Sequence, residues 1–201
     1  MRLYYFPLSS FSQRVRIALD EKGLTDVELV QVDIPQKANW SPTYLAKNPY
    51  GRIPALEDGD FLLYESTAIL EYLELLHPSP PLAPADPKRR ALMAMHMKLA
   101  DLEIGVHTGT LIRPVRFLPE ERWDLTAMAK ARQGIDAHLR ILDGQLGAPF
   151  LLGEQFTLAD VCYAPFLRFL DALGLQGTPR ISAWAERVLA RPSVRRTWLE
   201  R

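Results

Sequence analysis

Glu65-Ser66 stands where the apolar run Phe61–Tyr64 gives way to a helical pattern, and it is the point in the chain best suited to holding an anion. A serine hydroxyl and the free N–H groups of a first helical turn face outward at such a junction, and the helix dipole favours a carboxylate there. Ser66 could equally serve as an ordinary helix cap. A second feature is Ile53-Pro54, which enters a strand-like run; proline is tolerated there only where its missing N–H is not needed. Thiol and metal chemistry have less support. The lone Cys162 excludes an internal disulfide, and beside Val161 in an apolar helical pattern it reads as a small buried hydrophobe. His77, His96, His107 and His138 lack the close spacing of metal ligands, so no metal is expected.

These residues need elements to position them, and the pattern along the chain supplies candidates. Leu3–Phe6 is a short apolar run, Pro7–Ser12 breaks it, and Val15, Ala18 and Leu19 recur at helical spacing up to a stop at Gly23. Val27–Val32 is rich in β-branched residues and follows as a second strand, giving a β-α-β unit with parallel strands and a right-handed crossover. After a polar, irregular segment from Asp33 to Lys47, two apolar runs flank Glu57-Asp58-Gly59-Asp60, whose Asp-Gly pair suits a tight hairpin. Ile69, Leu70, Leu73 and Leu76 then mark a helix that opens at Ser66 and must stop before Pro78.

The segment 78–87 is proline-rich and is expected to link residues 1–77 to a second domain, 88–201. Helical patterns dominate beyond it: Lys88–His107, a span near Pro119–Leu146, Thr157–Leu173 and Ile181–Arg191, with a loop at Gly174-Leu175-Gln176-Gly177. Thr157 and Asp160 form a capping-box pattern, with Phe156 and Val161 as a hydrophobic staple; this is a folding device.

With 48% hydrophobic residues over 201 positions the chain can bury a substantial core. Twenty-four basic and 24 acidic side chains cancel, so nothing suggests a surface that tracks nucleic acid. No window approaches the length of a membrane span and no leader pattern opens the chain, so a cytoplasmic protein is expected.

Three segments of the first half, SSFSQRVRIAL, NPYGRIPAL and YESTAILEYLE, resemble the cytosolic glutathione transferase family, and the Thr157–Val161 staple resembles that family's second-domain capping motif. The resemblance implies an α/β plus all-α fold, a thioredoxin-like βαβ-ββα domain followed by an all-helical domain. It also implies glutathione as co-substrate and a homodimer. It makes the Ile53–Pro54 bond cis, with the Ile53 backbone pairing with the cysteinyl part of glutathione. Glu65 is implied as partner of the ligand's α-ammonium, and Ser66 of its γ-glutamyl carboxylate. Lys37, Asn39, Trp40 and Arg52 are the donors available for the glycyl carboxylate.

At the thiol site, the resemblance implies a serine hydroxyl that holds the sulfur as thiolate. The zeta-class pattern points to Ser9, and theta- and beta-class spacing points to Ser10. The helix after Phe11, with Arg14 one turn in, adds a positive field. Phe11 departs from zeta-type isomerases, which carry a cysteine there. Neither serine is replaced by a cysteine, which argues against thiol–disulfide exchange. The second substrate is expected near Pro7, Leu8 and Phe11 and near His107, Leu111, Arg113 and Arg116, a lining that suits an apolar body with an acidic tail. The competing expectation is a transferase-like protein without catalysis, either a ligand carrier or a regulator of the stringent starvation type that docks on RNA polymerase.

Overall fold

The computed structural model describes residues 1–175 and 177–199; Gln176 of the expected loop and residues 200–201 of the expected second domain lie outside the described residues. Internal contacts divide the chain into two units, Met1–Leu82 together with the segment from Arg191, and Ala83–Ala190.

The first unit is thioredoxin-like. Strands β1 (Arg2–Tyr5), β2 (Glu28–Gln31), β3 (Ala55–Asp58) and β4 (Phe61–Tyr64) form one sheet in the order β2-β1-β3-β4. β1 and β2 are parallel, and β3 pairs antiparallel with both β1 and β4 around the Gly59-Asp60 turn. The alternation of β1 sends Leu3 and Tyr5 to one face and Tyr4 to the other. Leu3 and Tyr5 pack with Val15 and Leu19 of α1 (Ser10–Glu21), with Leu56 of β3, and with Ile69 and Leu73 of α3 (Ser66–Leu76). Tyr4 packs with Val32, Ala55 and Tyr44 of α2 (Pro42–Leu45), so the irregular segment after β2 covers the second face.

Helix α1 starts earlier than the sequence pattern predicts. Residues 10–12 are helical because their hydroxyls and those around them serve the helix end. Ser9 is the N-cap, its Oγ accepting from the Ser12 N–H at 3.2 Å, while Ser12 Oγ accepts from the Phe6 N–H at 3.3 Å. The far end of α1 is held by α9 (Pro192–Leu199), a helix of the first unit that the sequence pattern does not reveal. Arg191 pairs bidentately with Glu21 at 2.8 and 2.6 Å, and Arg196 pairs with Asp20 at 2.5 Å.

The proline-rich segment is tied down in its first half. Lys22 Nζ pairs with Glu74 at 2.6 Å and donates to the carbonyls of His77 and Pro80 at 2.7 and 3.0 Å, and both Glu74 oxygens accept from the Leu82 N–H at 3.1 Å. Buried ionic groups hold the segment there.

The second unit is helical. α4 (Pro87–Leu99) continues through a wider π-helical turn, Ala100–Gly105, into α5 (Val106–Phe117). The helical run therefore extends ten residues past the predicted end at His107 and takes in Pro114, whose missing N–H removes one intrahelical bond without ending the helix. α6 (Leu125–Gln145), α7 (Leu158–Leu167) and α8 (Pro179–Leu189) follow. α7 stops short of the predicted Leu173, and the chain turns to reach Gly174 at φ +63°.

Thr157 and Asp160 form the capping box as predicted. Asp160 also accepts from the Leu151 N–H at 2.9 Å and from the Trp184 indole at 2.8 Å. Trp184 packs edge-on against Tyr163, which stacks on His138 and meets its Nε2 at 3.0 Å.

Burial holds His96 and His138 below the ordinary imidazole range; for His138 the charges of His96 and His107 act the same way and Glu103 opposes them. Depressed folded-state values mean that these groups contribute stability above about pH 6.5 and lose it as the pH falls through the folded values, because the unfolded chain takes up the protons first. Denaturant unfolding is expected to give a lower unfolding free energy at pH 5.5 than at pH 7.5, by up to about 1.4 kcal/mol per pH unit for each histidine. A His138→Gln variant should flatten that dependence, and an unchanged slope would refute the assignment.

Candidate active site

Two helix N-termini and one loop of the first unit gather the residues picked out from sequence. At the start of α1, Ser9 is extended (φ −80°, ψ 117°) and Ser10 is the first helical residue. Both are partly exposed, and Ser9 fills the acceptor role of a cap, as just described. The preceding turn is fixed by Gln13, whose amide donates to the Pro7 carbonyl at 2.8 Å, and by the Ser9 N–H on the Phe6 carbonyl at 3.0 Å. Leu8 and Phe11 are exposed at 43% and 37%.

The loop before β3 is built from its own side chains. Tyr44 OH and Asn48 Nδ2 both donate to the Arg52 carbonyl, at 2.6 and 2.8 Å, and Asn48 Oδ1 accepts from the Tyr50 N–H at 3.1 Å. Burial, with the neighbouring Tyr4, pushes the Tyr44 phenol well above its ordinary value, so it stays a neutral donor. Gly51 sits at φ +60° with Trp40 packed over it: a Cβ there would lie 2.9 Å from the indole and 3.2 Å from the Asn39 carbonyl, so the turn requires glycine. Asn39 Nδ2 donates to the Gly51 carbonyl at 2.6 Å, which gives this side chain a structural task. Lys37, Arg52 and the Trp40 ring remain exposed around the loop. The Ile53–Pro54 bond is cis, and β3 begins just after it at Ala55.

At the start of α3 the structure corrects the capping expectation. Glu65, not Ser66, holds the N-cap position, and its side chain makes no cap bond. Its backbone lies at φ 72°, in the region that favours glycine and costs a side-chain-bearing residue about 1–3 kcal/mol. Strain of this size is kept where the surroundings over-determine it, and it commonly marks a functional position. Ser66 is 4% exposed, and its Oγ accepts from Arg14 Nη1 at 3.2 Å. Arg14 is fully buried, with its guanidinium 4.9 Å from the Phe11 ring centre. The sequence pattern assigns Arg14 only a positive field at the start of α1; its contact with Ser66, 52 residues away, has no local signal.

The residues expected around a second substrate divide between the units. Pro7, Leu8 and Phe11 belong to the first. His107, Leu111 and Arg113 lie on α5 of the second. Leu111 is 1% exposed, and the His107 ring packs onto Gly134 of α6, where a Cβ would come within 2.4 Å of its Nε2. Arg113 is exposed. The Arg116 and Arg168 guanidinium groups approach the same Phe169 ring at 5.5 and 4.5 Å, and burial together with the Arg116 charge lowers Arg168 to about 10. Among the described residues no three His, Cys, Asp or Glu side chains are placed to hold a metal ion, and no helix is long and apolar enough to cross a membrane.

A thioredoxin-like unit with a cis-proline loop, followed by a helical unit with a buried capping box, defines a recognisable class of two-unit proteins. Residues 3–81 match the family described as glutathione S-transferase, N-terminal domain, and residues 126–187 match glutathione S-transferase, C-terminal domain. Glutathione S-transferase APIC of Nicotiana tabacum is 31% identical, over 96% of this chain and 94% of its own length. Among solved structures, a glutathione transferase homologue from Sulfitobacter with bound glutathione aligns with TM-score 0.82 at 31% identity, covering 97% of this chain and 95% of its own. A bacterial zeta-class transferase, maleyl pyruvate isomerase, aligns with TM-score 0.82 at 29% identity, covering 98% and 96%. The chain belongs to the glutathione transferase family and is a glutathione transferase.

Proposed function

We propose that this transferase binds glutathione on its first unit, holds the thiol as thiolate with a serine hydroxyl at the start of α1, and directs it at a small electrophile. The reaction would be conjugation, displacement of a leaving group, or reduction of an organic hydroperoxide in which a second glutathione resolves the product. The observation that carries this reading is the Ser9 cap. Its oxygen accepts from the Ser12 N–H, which leaves the hydroxyl proton to donate at the N-terminus of a twelve-residue helix.

The magnitudes agree. Lowering a thiol pKa of roughly 8.5 by two units needs about 2.7 kcal/mol. One charge-assisted hydrogen bond supplies about 1.5–3 kcal/mol and a helix terminus about 0.3–1 kcal/mol.

In the same reading the Ile53 backbone and Pro54 receive the cysteinyl residue. Glu65 meets the α-ammonium, and Ser66 with the first turn of α3 meets the γ-glutamyl carboxylate. Lys37, Arg52, Trp40 and Asn39, whose amide keeps a second N–H beyond its bond to the Gly51 carbonyl, are the donors for the glycyl carboxylate. The electrophile lies against Pro7, Leu8 and Phe11 of the first unit. Exposed leucines on α3 (Leu75 71%, Leu76 46%) and exposed Leu92 and Met95 on α4 support a homodimer. A cytoplasmic setting, where the glutathione pool is kept reduced, suits the chemistry.

The test is calorimetric titration with glutathione on the wild type, Ser9→Ala and Ser10→Ala, together with the ultraviolet absorbance of bound thiolate at neutral pH. Micromolar to millimolar binding is expected. Ser9→Ala should lose the thiolate signal and about 10²-fold in conjugation rate, with Ser10→Ala within a few-fold of wild type. The opposite pattern moves the role to Ser10, and no loss in either variant overturns serine activation. Binding without turnover would point to a glutathione-dependent carrier. No binding at all would favour a regulatory role for the fold.

A further inference from the structure

Arg14 is fully buried on the second turn of α1, and its donor bond to Ser66 Oγ joins the start of α1 to the start of α3. Burying a guanidinium is costly, because it remains charged under all ordinary conditions and gives up its hydration. A hydroxyl that accepts a bond from a cation has its rotation restricted, and its own proton is turned away from that cation and polarised into a stronger donor. Ser66 therefore differs from an ordinary serine in the first turn of a helix, whose hydroxyl rotates to suit its surroundings. The neighbouring Glu65 is held at φ 72° without a side-chain cap bond, so the end of α3 is not closed by its own cap residue.

We propose that Arg14 is a positioning residue for the γ-glutamyl end of glutathione. Acting through Ser66, it presents the hydroxyl as a fixed donor to the ligand's carboxylate and ties that anchor to the helix that carries Ser9 and Ser10. This inference rests on the glutathione site described above. Arg14 touches the serine and the Phe11 ring, and its charge reaches the carboxylate without contact.

The two residues form one device, so their replacements are non-additive. The experiment is a double-mutant cycle of Arg14→Met and Ser66→Ala, read as the Kd of S-methylglutathione, a probe with no free thiol, so that effects on thiolate formation drop out. Each single variant is expected to weaken binding about 10- to 30-fold, and the double variant no more than about threefold beyond the weaker single. Losses that multiply in the double variant overturn the inference, because they would make Arg14 a structural residue acting independently of Ser66. Arg14→Lys, which keeps the charge without the planar donor fork, should recover part of the loss. If Arg14→Met does not fold, the cycle is run with Arg14→Lys and read by the same criterion. Failure of the wild type to bind S-methylglutathione would remove the site itself, whereas wild-type binding with multiplying losses removes only the role of Arg14.

Discussion

Asp160→Ala is expected to lower the unfolding free energy of the second unit by about 3–5 kcal/mol, the largest effect of any single replacement considered for this unit. The carboxylate is completely buried and accepts four hydrogen bonds: from the Thr157 N–H at 2.9 Å, the Thr157 hydroxyl at 3.1 Å, the Leu151 N–H at 2.9 Å and the Trp184 indole at 2.8 Å. Burial pushes its pKa up and these donors pull it back. Removing the acceptor leaves two backbone N–H groups and an indole N–H without it in a dry environment, each at a cost of about 1–3 kcal/mol before relaxation. Asp160→Asn should lose nearly as much, because its NH₂ group faces donors. Thr157→Ala, which removes the hydroxyl and leaves the carboxylate in place, should cost only about 1 kcal/mol. Denaturant unfolding followed by tryptophan fluorescence checks the order; a loss below 1 kcal/mol for Asp160→Ala would show that the network contributes little.

Lys22→Met is expected to cost the first unit about 3–5 kcal/mol, because it breaks an ion pair whose side chains are 0% and 5% exposed. Ordinary buried pairs can be replaced by matched apolar residues with little loss. This one differs, since Lys22 also serves the His77 and Pro80 carbonyls and Glu74 serves the Leu82 N–H. Lys22→Met combined with Glu74→Leu should therefore fail to restore wild-type stability, leaving at least about 2 kcal/mol of the loss. A double variant as stable as wild type would reduce the anchor to a simple charge pair. Unfolding curves for the two single variants and the double variant decide it.

What local pattern could reveal about this chain follows from which forces act locally. The β-α-β start, the Asp-Gly hairpin, the helix from Ser66 and the Thr157–Asp160 box are specified by neighbours within a few residues, and the structure contains each of them. The start of α1 differs because serines that read as loop formers act here as caps for one another. The cap of α3 falls on Glu65 because the backbone is held at positive φ, a conformation no side-chain preference would suggest. No local pattern marks Arg14, Lys22 and Glu74 as buried, because the partners that bury them lie far along the chain. Asn39 is a similar case: its amide reads as a ligand donor in one dimension, and the folded loop shows that one of its N–H groups holds the Gly51 carbonyl.

The clasp of α9 on α1 bears on how the molecule is made. Arg191 and Glu21 are 170 residues apart and Arg196 and Asp20 are 176 apart, with the whole of Ala83–Ala190 between them. During synthesis the strands and helices up to Leu82 leave the ribosome long before α9 exists, and domains begin to fold as they emerge. The nascent first unit must therefore wait with the C-terminal end of α1 uncovered while all of the helical unit is translated, and it closes only once α9 has emerged.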